Sequence, residues 1–368
     1  MDSFPLTKYL VDHSRQLINQ LIRHHLRDPK TAIFLLKRAH ILHKAGKIRL
    51  ASQKKGVQIP AFLIASIANR CNLNCLGCYA RATGICDEDK SRRILAKDEW
   101  ENIFHQAGAL GISFCLLAGG EPLLRPDVLE AACQAKELVY PIFTNGTLFT
   151  KKAISLLQKN PHLIPIISME GAPESTDERR GIGMGIIINE AMKSLKKAGI
   201  MMGVSITVTT KNMDHVLTDD FMDYLDKSGV QLVFLIEYVP MEQADHPLAF
   251  TPESRVQLLS KSQQLKHNHP RIALLSFPGD EVHLGGCLAA GRGFFHINPY
   301  GDAEACPFAP YSDRNLRNHS LYEVLSSPFF QALREEGLVG GEHDGGCSLF
   351  EHDQEVKAIL ASIQSSSK

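Results

Sequence analysis

The sequence predicts an α/β protein built on a partial barrel of six βα units with parallel strands. From residue 59 onward, apolar runs alternate with helical segments, which is the pattern of repeated βα units. Chemically distinctive residues follow the ends of these runs, where the loops of a barrel carry its chemistry. We therefore expect four regions: a basic helical lead-in (1–58), the barrel (59–278), a small β-hairpin and helix domain (279–350), and a short helix with a flexible tail (351–368).

The lead-in predicts two helices, each with one apolar side. The first carries its apolar residues at helical spacing, at Leu10, Leu17, Ile18, Leu21 and Ile22. The second is predicted to begin at Asp28-Pro29 and to end before Gly46. Each apolar side must dock on something, either the outside of the barrel or its open end as a mobile cap.

The charged residues are distributed unevenly along the chain. Residues 1–60 hold 12 Lys and Arg against 3 Asp and Glu, although the whole chain has a formal net charge of +0. Such a basic helical segment is either a solvated face or a contact for a membrane surface or another anionic partner.

Six strands and three of the intervening helices are predicted from the apolar pattern. The predicted strands are 62–67, 113–118, 140–143, 164–169, 203–209 and 232–238. The predicted helices are 97–110, 126–138 and 190–198.

Composition favours a cytoplasmic protein with reduced thiols. The chain has 44% hydrophobic and 22% charged residues, nine cysteines, no charged-then-apolar leader and no apolar stretch near the length of a membrane span. A peripheral position at a membrane stays open because of the basic lead-in. Nucleic-acid binding is not expected, since the basic residues are not interleaved with aromatic side chains.

The most informative motif is a cysteine loop directly after the first predicted strand. Cys71, Cys75 and Cys78 have C-x3-C-x2-C spacing. A 4Fe-4S cluster normally takes four thiolates, so three leave one iron open to a small chelating ligand. A tetrahedral zinc site is the alternative for such cysteine pairs.

This loop resembles the signature of the radical S-adenosylmethionine (SAM) enzymes. The resemblance implies that SAM chelates the open iron and that an electron donor such as flavodoxin or ferredoxin reduces the cluster. It also implies that a 5′-deoxyadenosyl radical forms and abstracts hydrogen from the substrate. The family usually has an aromatic residue before the third cysteine, where this chain has Gly77. The neighbouring Tyr79 is predicted to take over the contact with adenine.

The second strand runs into Gly119-Gly120-Glu121-Pro122. Glycines permit close backbone approach to a ligand, and Glu121 offers an acceptor for an ammonium group. The segment resembles the GGEP motif of the radical SAM family, which implies a contact with the methionine amino group of SAM. An ordinary Gly-Pro turn is the alternative.

Further polar residues follow the third and fourth strands. They are Thr144, Asn145, Ser168, Glu170 and Arg180, which can bond ribose hydroxyls and pair with a carboxylate. The segment from Ser168 resembles a serine-leucine-aspartate-glycine segment of the family, with Glu170 in place of the aspartate. The alternatives are a plain turn at Asn145 and a surface ion pair at Arg180.

A second cysteine set lies in the C-terminal third. Cys287 is followed after thirteen residues by Gly301, after four more by Cys306, and later by Cys347. An apolar run into an Asn-Pro-x-Gly-Asp turn separates the first two cysteines and predicts a β-hairpin. The spacing resembles the twitch domain, a shortened SPASM module, which implies a second iron-sulfur cluster. Three buried thiols without metal are the alternative.

Together these motifs predict a radical SAM enzyme that acts on a small-molecule or lipid-like substrate. A peptide-modifying or protein-modifying radical SAM maturase is the alternative within the same family. A non-enzymatic iron-sulfur or zinc protein, serving electron transfer or scaffolding, is the alternative from another class.

Overall fold

The computed structural model describes residues 6–24, 29–87, 91–241, 243–277, 284–340 and 347–366. Within these residues one sheet of nine strands runs through the molecule. In chain order the strands are β1 Phe62–Ala68, β2 Phe114–Gly119, β3 Tyr140–Thr144, β4 Leu163–Met169, β5 Met202–Val208, β6 Val230–Glu237, β7 Ala273–Phe277, β8 His296–Ile297 and β9 Ala303–Glu304.

Seven of these strands form the predicted barrel. Strands β1 to β7 are parallel and lie side by side in chain order, and the sheet stays open between β7 and β9. The α/β fold and all six predicted strands are confirmed, with ends that differ by at most two residues. The parallel sheet has one strand more than the six units predicted, because the short apolar run Ala273–Phe277 also pairs in parallel with β6.

The helices of the described residues surround this sheet. They are α1 Leu6–His24, α2 Pro29–Gln53, α3 Tyr79–Ala82, α4 Lys97–Leu110, α5 Pro126–Ala132, α6 Lys151–Lys159, α7 Pro173–Arg180, α8 Met184–Lys197, α9 Met213–Val216, α10 Asp219–Ser228, α11 Pro252–Asn268, α12 Leu321–Leu325, α13 Pro328–Glu335, α14 Ser348–Glu351 and α15 Asp353–Ser366. Helix α4 has the predicted bounds. Helix α8 begins earlier than predicted, and α5 ends at Ala132 because the following residues form turns that lead into β3.

Both faces of the parallel strands are apolar, as expected for a sheet that is covered on its outer face and lines an interior on its inner face. The outer face packs against the helices around the fully buried side chains of Trp100, Phe104 and Tyr140. The Phe104 and Tyr140 rings meet edge to face, with centroids 5.1 Å apart. The inner face of the strands is the side on which the functional residues collect.

Helix α2 continues through Gly46 to Gln53, so the predicted end before Gly46 is wrong. The reason is packing against α1: a Cβ at Gly46 would lie 3.0 Å from Cγ2 of Val11. Glycine here lets the two helices approach each other, and it does not end the helix. Asp28, predicted as the N-cap of this helix, lies outside the described residues.

Helices α1 and α2 close the amino-terminal end of the barrel, and we call them the helical floor. Leu35 of α2 is buried in a cluster with Val139, Ile164 and Leu232, which lie at the amino ends of β3, β4 and β6. Nη1 of Arg49, a buried residue of α2, donates to the carbonyl of Gly111 and to Ser113 Oγ, the latter bond being 2.7 Å long. The floor therefore lies at the end of the strands opposite the cysteine loop.

The predicted C-terminal hairpin extends the barrel sheet. Strand β8 pairs in parallel with β1 and antiparallel with β9. A buried polar chain fixes this junction: His296 is 2.7 Å from Ser66 Oγ through Nε2 and 2.6 Å from Glu304 Oε2 through Nδ1. At the C-terminus, α15 reaches Ser366, so the helix is longer than the short helix and tail that were predicted.

Candidate functional site

The three thiols of the cysteine loop come together at the carboxyl end of β1. Cys71, Cys75 and Cys78 are half-buried and none forms a disulfide. Burial raises the pKa of Cys71, and the neighbouring Cys75 and Cys78 act in the same direction. The backbone N–H of Leu73 donates to Cys71 Sγ at 3.5 Å. Three convergent, partly buried sulfur donors with a nearby N–H donor are a donor set that fits an iron-sulfur cluster.

A single-ion site has less support in the same region. Within the ranges that the structure describes, no three His, Cys, Asp or Glu side chains are arranged around one metal ion.

Gly119 and Gly120 permit a close backbone approach, but the partner is the protein itself. Gly119 has a φ of +111°, and a Cβ at Gly120 would lie only 1.9 Å from the carbonyl oxygen of Arg70. The backbone N–H of Glu121 donates to that same carbonyl at 2.8 Å. The two glycines thus hold the end of β2 against the segment that leads into Cys71.

Glu121 is 1% exposed and fixes the end of β3. Its carboxylate accepts bonds from Thr144 Oγ1 at 2.7 Å, the Asn145 N–H at 2.8 Å and the Leu123 N–H at 2.9 Å. Burial raises the pKa of Glu121, although these bonds oppose the rise. The following Pro122 begins a single 3₁₀ turn, Pro122–Leu124.

Asn145 connects the end of β3 to the cysteine loop. Its Nδ2 donates to Asn72 Oδ1 at 2.9 Å and lies 3.9 Å from Cys71 Sγ. Its Oδ1 accepts from the backbone N–H of Thr147 at 3.0 Å. Asn145 is therefore more than a turn residue, because both the oxygen and the nitrogen of its side-chain amide are hydrogen-bonded and the nitrogen faces the Cys71 thiol.

Ser168 and Arg180 find partners within the protein. Ser168 Oγ lies 3.1 Å from Ser205 Oγ on the neighbouring strand. Arg180 donates through Nη2 to Glu170 Oε1 at 2.6 Å. The Glu170 side chain is 3% exposed, so the alternative of a surface ion pair does not describe this arginine.

Arg179 is a site residue that the sequence interpretation missed. Its Nε donates to the carbonyl of Leu76 at 3.1 Å and its Nη2 to the carbonyl of Gly77 at 3.4 Å. Its Nη1 donates to Glu170 Oε1 at 2.6 Å and to Thr207 Oγ1 at 2.8 Å. The sequence signal was present, since two adjacent arginines end α7, but only Arg180 was selected.

Tyr238, at the carboxyl end of β6, was also missed. It is buried, and a Cβ at Gly77 would lie 2.3 Å from its hydroxyl oxygen. The glycine, with a φ of +60°, thus leaves room for an aromatic ring that comes from another strand. Tyr79, predicted to contact adenine, lies beside Phe308 with ring centroids 5.4 Å apart, and burial together with Cys78, Cys86 and Cys306 raises its pKa.

The second cysteine set also converges. Cys287 and Cys306 are buried, and Cys347 is half-buried. The Cys306 thiol is hydrogen-bonded to Cys347 and close to Cys287, and burial raises its pKa well above the ordinary value. The hydrogen bond to Cys306 lowers the pKa of Cys347. Three neighbouring sulfur donors are a donor set that fits a second cluster, and Tyr79 lies close to Cys78 and Cys306.

A cavity of about 720 Å³ occupies the inside of the barrel. At its upper end it is bordered by the cysteine loop, Gly119, Gly120, Glu121, Asn145, Ser168, Arg179, Arg180 and Tyr238. At its lower end it reaches α1 and α2 of the helical floor. Predicted site residues from four successive strand ends thus face one space.

The chain is similar in sequence to one known family and to several named proteins. Residues 65–230 match the family model described as the Radical SAM superfamily. The chain is 26% identical over 323 residues to the AdoMet-dependent heme synthase of Methanosarcina barkeri (strain Fusaro / DSM 804), covering 80% of this chain and 89% of that protein. It is 28% identical over 326 residues to the mycofactocin maturase MftC of Mycobacterium ulcerans (strain Agy99), covering 81% and 86%.

Among solved structures, Streptococcus suis SuiB bound to S-adenosylmethionine superposes with a TM-score of 0.63 at 18% identity, covering 79% of this chain and 72% of that chain. At this identity the likeness concerns the fold. None of the helices described here has the length and apolar character that crossing a membrane requires.

Proposed function

We propose, on the premise that this chain is a radical SAM enzyme, that it abstracts hydrogen from a small-molecule or lipid-like substrate held inside the barrel. A 4Fe-4S cluster and SAM are its cofactors. When bound, they supply the one-electron chemistry that generates a 5′-deoxyadenosyl radical, while the protein provides orientation and exclusion of water.

In this proposal Cys71, Cys75 and Cys78 hold the SAM-binding cluster. Asn145 and the Leu73 N–H would stabilise the thiolate of Cys71 by donating toward its sulfur. Arg179 would hold the loop shape, because it donates to two consecutive carbonyls between Cys75 and Cys78. The support is the convergence of these groups at one end of the cavity.

The remaining upper residues would bind SAM. The ammonium group of SAM requires hydrogen-bond acceptors, and its carboxylate requires a cation. Its ribose hydroxyls require polar side chains, and its adenine requires an apolar wall. Glu121, Thr144, Ser168 and Arg180 supply the polar groups at the strand ends, and we add Tyr238 as part of the wall. Because most of these side chains already have protein partners, the site would be largely preformed.

The main support for a small-molecule or lipid-like substrate is the apolar lining of the cavity. Below the cysteine loop it is lined by apolar side chains from the inner faces of successive strands, among them Ile64, Leu116, Phe143 and Phe234. Apolar lining with a few polar groups at one end is the usual make-up of a small-molecule site. This favours a small or lipid-like substrate.

A peptide-modifying maturase is the second candidate. It is supported by names alone: MftC is called a mycofactocin maturase, and SuiB has been solved bound to its precursor peptide SuiA. The cavity of this chain does not by itself favour a peptide, because its lining offers few backbone partners.

We further propose that Cys287, Cys306 and Cys347 hold an auxiliary iron-sulfur cluster. The support is their convergence and the hydrogen bond between two of the thiols. Tyr79, which lies close to Cys78 and Cys306, would be an aromatic neighbour of both clusters. An external donor such as flavodoxin or ferredoxin would supply the electron that reduces the SAM-binding cluster.

The helical floor is proposed as a contact for an anionic membrane surface. On α2, Ile33 and Leu36 are 54% and 55% exposed, and Lys37, Lys44 and Lys47 share their exposed face. A helix that presents apolar residues within a basic face binds anionic lipid headgroups. This surface lies at the amino-terminal end of the barrel, beneath the cavity.

The experiment for the substrate class compares two kinds of substrate. Reconstituted, reduced enzyme with SAM is incubated without oxygen with lipid extracts or with apolar synthetic peptides, and 5′-deoxyadenosine release is measured. Stimulation by a lipid fraction together with a mass change in one of its components supports the proposal. Stimulation by peptides alone selects the maturase.

The membrane contact has its own test. Flotation with vesicles containing phosphatidylglycerol should recover the wild type, and Ile33→Glu/Leu36→Glu should remain unbound. The control is Ile186→Glu/Val256→Glu, which alters residues of similar or greater exposure, 70% and 67%, on other helices. Equal recovery of all three proteins contradicts the contact.

A further inference from the structure

The interior of this barrel is lined by side chains but not filled by them. In closed eight-stranded barrels, layers of branched side chains fill the interior completely. Here the inner faces of β1 to β7 enclose a cavity of about 720 Å³ that continues from the cysteine loop to the helical floor. Its upper part belongs to the SAM site already described. Its lower part has no assigned occupant.

The middle of the cavity is mainly apolar, and its lower end combines apolar with polar side chains of the floor. Leu116, Phe143 and Phe234 line its middle, and the rings of the two phenylalanines meet edge to face with centroids 5.2 Å apart. Phe34 and Leu35 of α2 line its lower end. The inner positions of several strands therefore present an apolar wall that reaches Phe34 and Leu35 of the floor.

Polar side chains of the floor are held by backbone partners. Nε2 of Gln20 donates to the carbonyl of Pro270 at 2.9 Å. Nη1 of Arg38 donates to the carbonyl of Lys136 at 2.5 Å. These two groups border the lower end of the cavity together with His13, Ser14 and Gln16 of α1. Polar groups thus collect at the floor, and the apolar wall lies between the floor and the cysteine loop.

We propose that the lower cavity binds a single long hydrocarbon chain, whose reactive end lies beneath the cysteine loop. This rests on the proposed function and names the chemical class of its substrate. A strand of seven residues such as β4 is about 23 Å long, so the interior has the reach for an extended chain. Burial of each methylene against this wall supplies the binding free energy.

A peptide is disfavoured as the occupant of this space for a physical reason. Each residue of a peptide brings a backbone N–H and C=O, which must be hydrogen-bonded when they leave water. The apolar side chains that the structure describes along the wall, such as Leu116, Phe143 and Phe234, offer these groups no hydrogen-bond partners. A hydrocarbon chain makes no such demand.

The test uses the complete, reconstituted protein with SAM under anaerobic conditions. Bound cis-parinaric acid, followed by its fluorescence, is displaced by octanol, dodecanol and hexadecanol below their aggregation concentrations. We expect affinity to rise about fourfold per added methylene at the shorter lengths, and then to level off when the chain spans the cavity. Affinity that does not depend on chain length overturns the proposal.

A matched pair of variants locates the site. Leu116→Trp places a large side chain in the middle of the cavity and should weaken hexadecanol binding at least tenfold. Ile186→Trp makes a comparable change on a 70% exposed residue of α8 and should leave binding unchanged. The chain-length series on the wild type needs no substitution, so it decides the question even if Leu116→Trp does not fold.

The proposed function is checked separately in the same samples by 5′-deoxyadenosine release. Release of 5′-deoxyadenosine by a protein that binds none of the alcohols overturns the hydrocarbon site alone. Chain-length-dependent binding without 5′-deoxyadenosine release supports the site and contradicts the proposed reaction. Displacement of the probe by apolar peptides but not by hexadecanol also overturns the hydrocarbon site.

Discussion

Arg179 donates a 2.6 Å hydrogen bond to the buried Glu170, and the same guanidinium holds the cysteine loop. Glu170 follows β4, so this ion pair fixes the carboxyl end of that strand to the loop that follows β1. The geometry of the thiols is thereby tied to a strand on the far side of the barrel interior.

Arg179→Ala should destabilise both the fold and the site. Glu170 keeps Arg180 as a partner, but the variant loses the Arg179 bonds to Glu170, Leu76 and Gly77. Bonds to charged groups contribute about 1.5–3 kcal/mol, and we expect a loss of that order in unfolding free energy. We expect lower iron content after reconstitution and slower 5′-deoxyadenosine release. Denaturant unfolding, iron analysis and product release measure these effects.

The control for Arg179→Ala is Lys211→Ala, which breaks the exposed pair between Lys211, after β5, and Glu178, which lies on the same helix as Arg179. Exposed pairs contribute about 1 kcal/mol or less. If both variants behave like the wild type, Arg179 does not hold the loop.

Gly77 and Tyr238 should show a specific rescue. Gly77→Ala places a Cβ 2.3 Å from the Tyr238 hydroxyl oxygen but 3.0 Å from the nearest ring carbons. We therefore expect Gly77→Ala to weaken SAM binding strongly, and Gly77→Ala/Tyr238→Phe to recover part of the loss. Recovery stays incomplete, because alanine at positive φ costs about 1 kcal/mol. Equilibrium binding of SAM to the reconstituted proteins provides the readout, and a double variant no better than Gly77→Ala would exclude a steric contact between these residues.

Gly120→Ala should disrupt the cysteine loop. Its Cβ would lie 1.9 Å from a backbone oxygen, which cannot turn away as a flexible side chain can. We expect a loss of more than about 2 kcal/mol in unfolding free energy, as for other overpacked sites. Thermal or denaturant unfolding measures the change.

Gly108→Ala is the control for Gly120→Ala. It lies in α4, where the nearest contact is the Glu137 side chain at 3.1 Å. Alanine in a helix interior is favoured over glycine by about 0.5–1 kcal/mol, so stability should stay equal or rise slightly. Similar losses in the two variants would contradict the role given to Gly120.

Because His162 is buried, we expect the free energy of unfolding to fall in mild acid. Burial lowers its pKa from 6.5 to about 4 in the folded protein. Above pH 6.5 the imidazole is neutral in both states and contributes no pH dependence. As the pH falls from 6.5 to 4, only the unfolded chain takes up the proton, so up to about 3 kcal/mol of unfolding free energy is lost.

The measurement compares the wild type with His162→Gln between pH 7 and pH 5. Other titrating groups are common to both proteins, so their contributions cancel in the difference. The wild type should lose stability faster than the variant as the pH falls. Parallel curves would mean that His162 does not titrate in this way.

The sequence was most informative where chemically distinctive residues follow a regular apolar pattern. Strand bounds were predicted closely, because parallel strands buried on both faces appear as apolar runs. Cys71, Cys75, Cys78 and Asn145 were predicted as site residues because they follow the ends of such strands. The pattern between Cys287 and Cys306 predicted the hairpin of β8 and β9, and the role of these two cysteines with Cys347 as cluster ligands stays a prediction.

The sequence was less informative where a role depends on distant partners. Arg179 and Tyr238 act on the cysteine loop from α7 and β6, and no local pattern connects them to it. Gly46 was interpreted as a helix end, although its role is to let α1 approach α2. The position of these two helices beneath the barrel also depends on tertiary packing, which amphipathic periodicity alone does not specify.

The most direct test measures iron, sulfide and 5′-deoxyadenosine release after anaerobic reconstitution and reduction with SAM. It compares the wild type with Cys71→Ala/Cys75→Ala/Cys78→Ala and Cys287→Ala/Cys306→Ala/Cys347→Ala. We predict two clusters and SAM cleavage in the wild type, and one cluster without cleavage in the first variant. The second variant should keep the cluster of the cysteine loop. Continued SAM cleavage by the first variant would contradict the assignment of the cysteine loop as the reaction site.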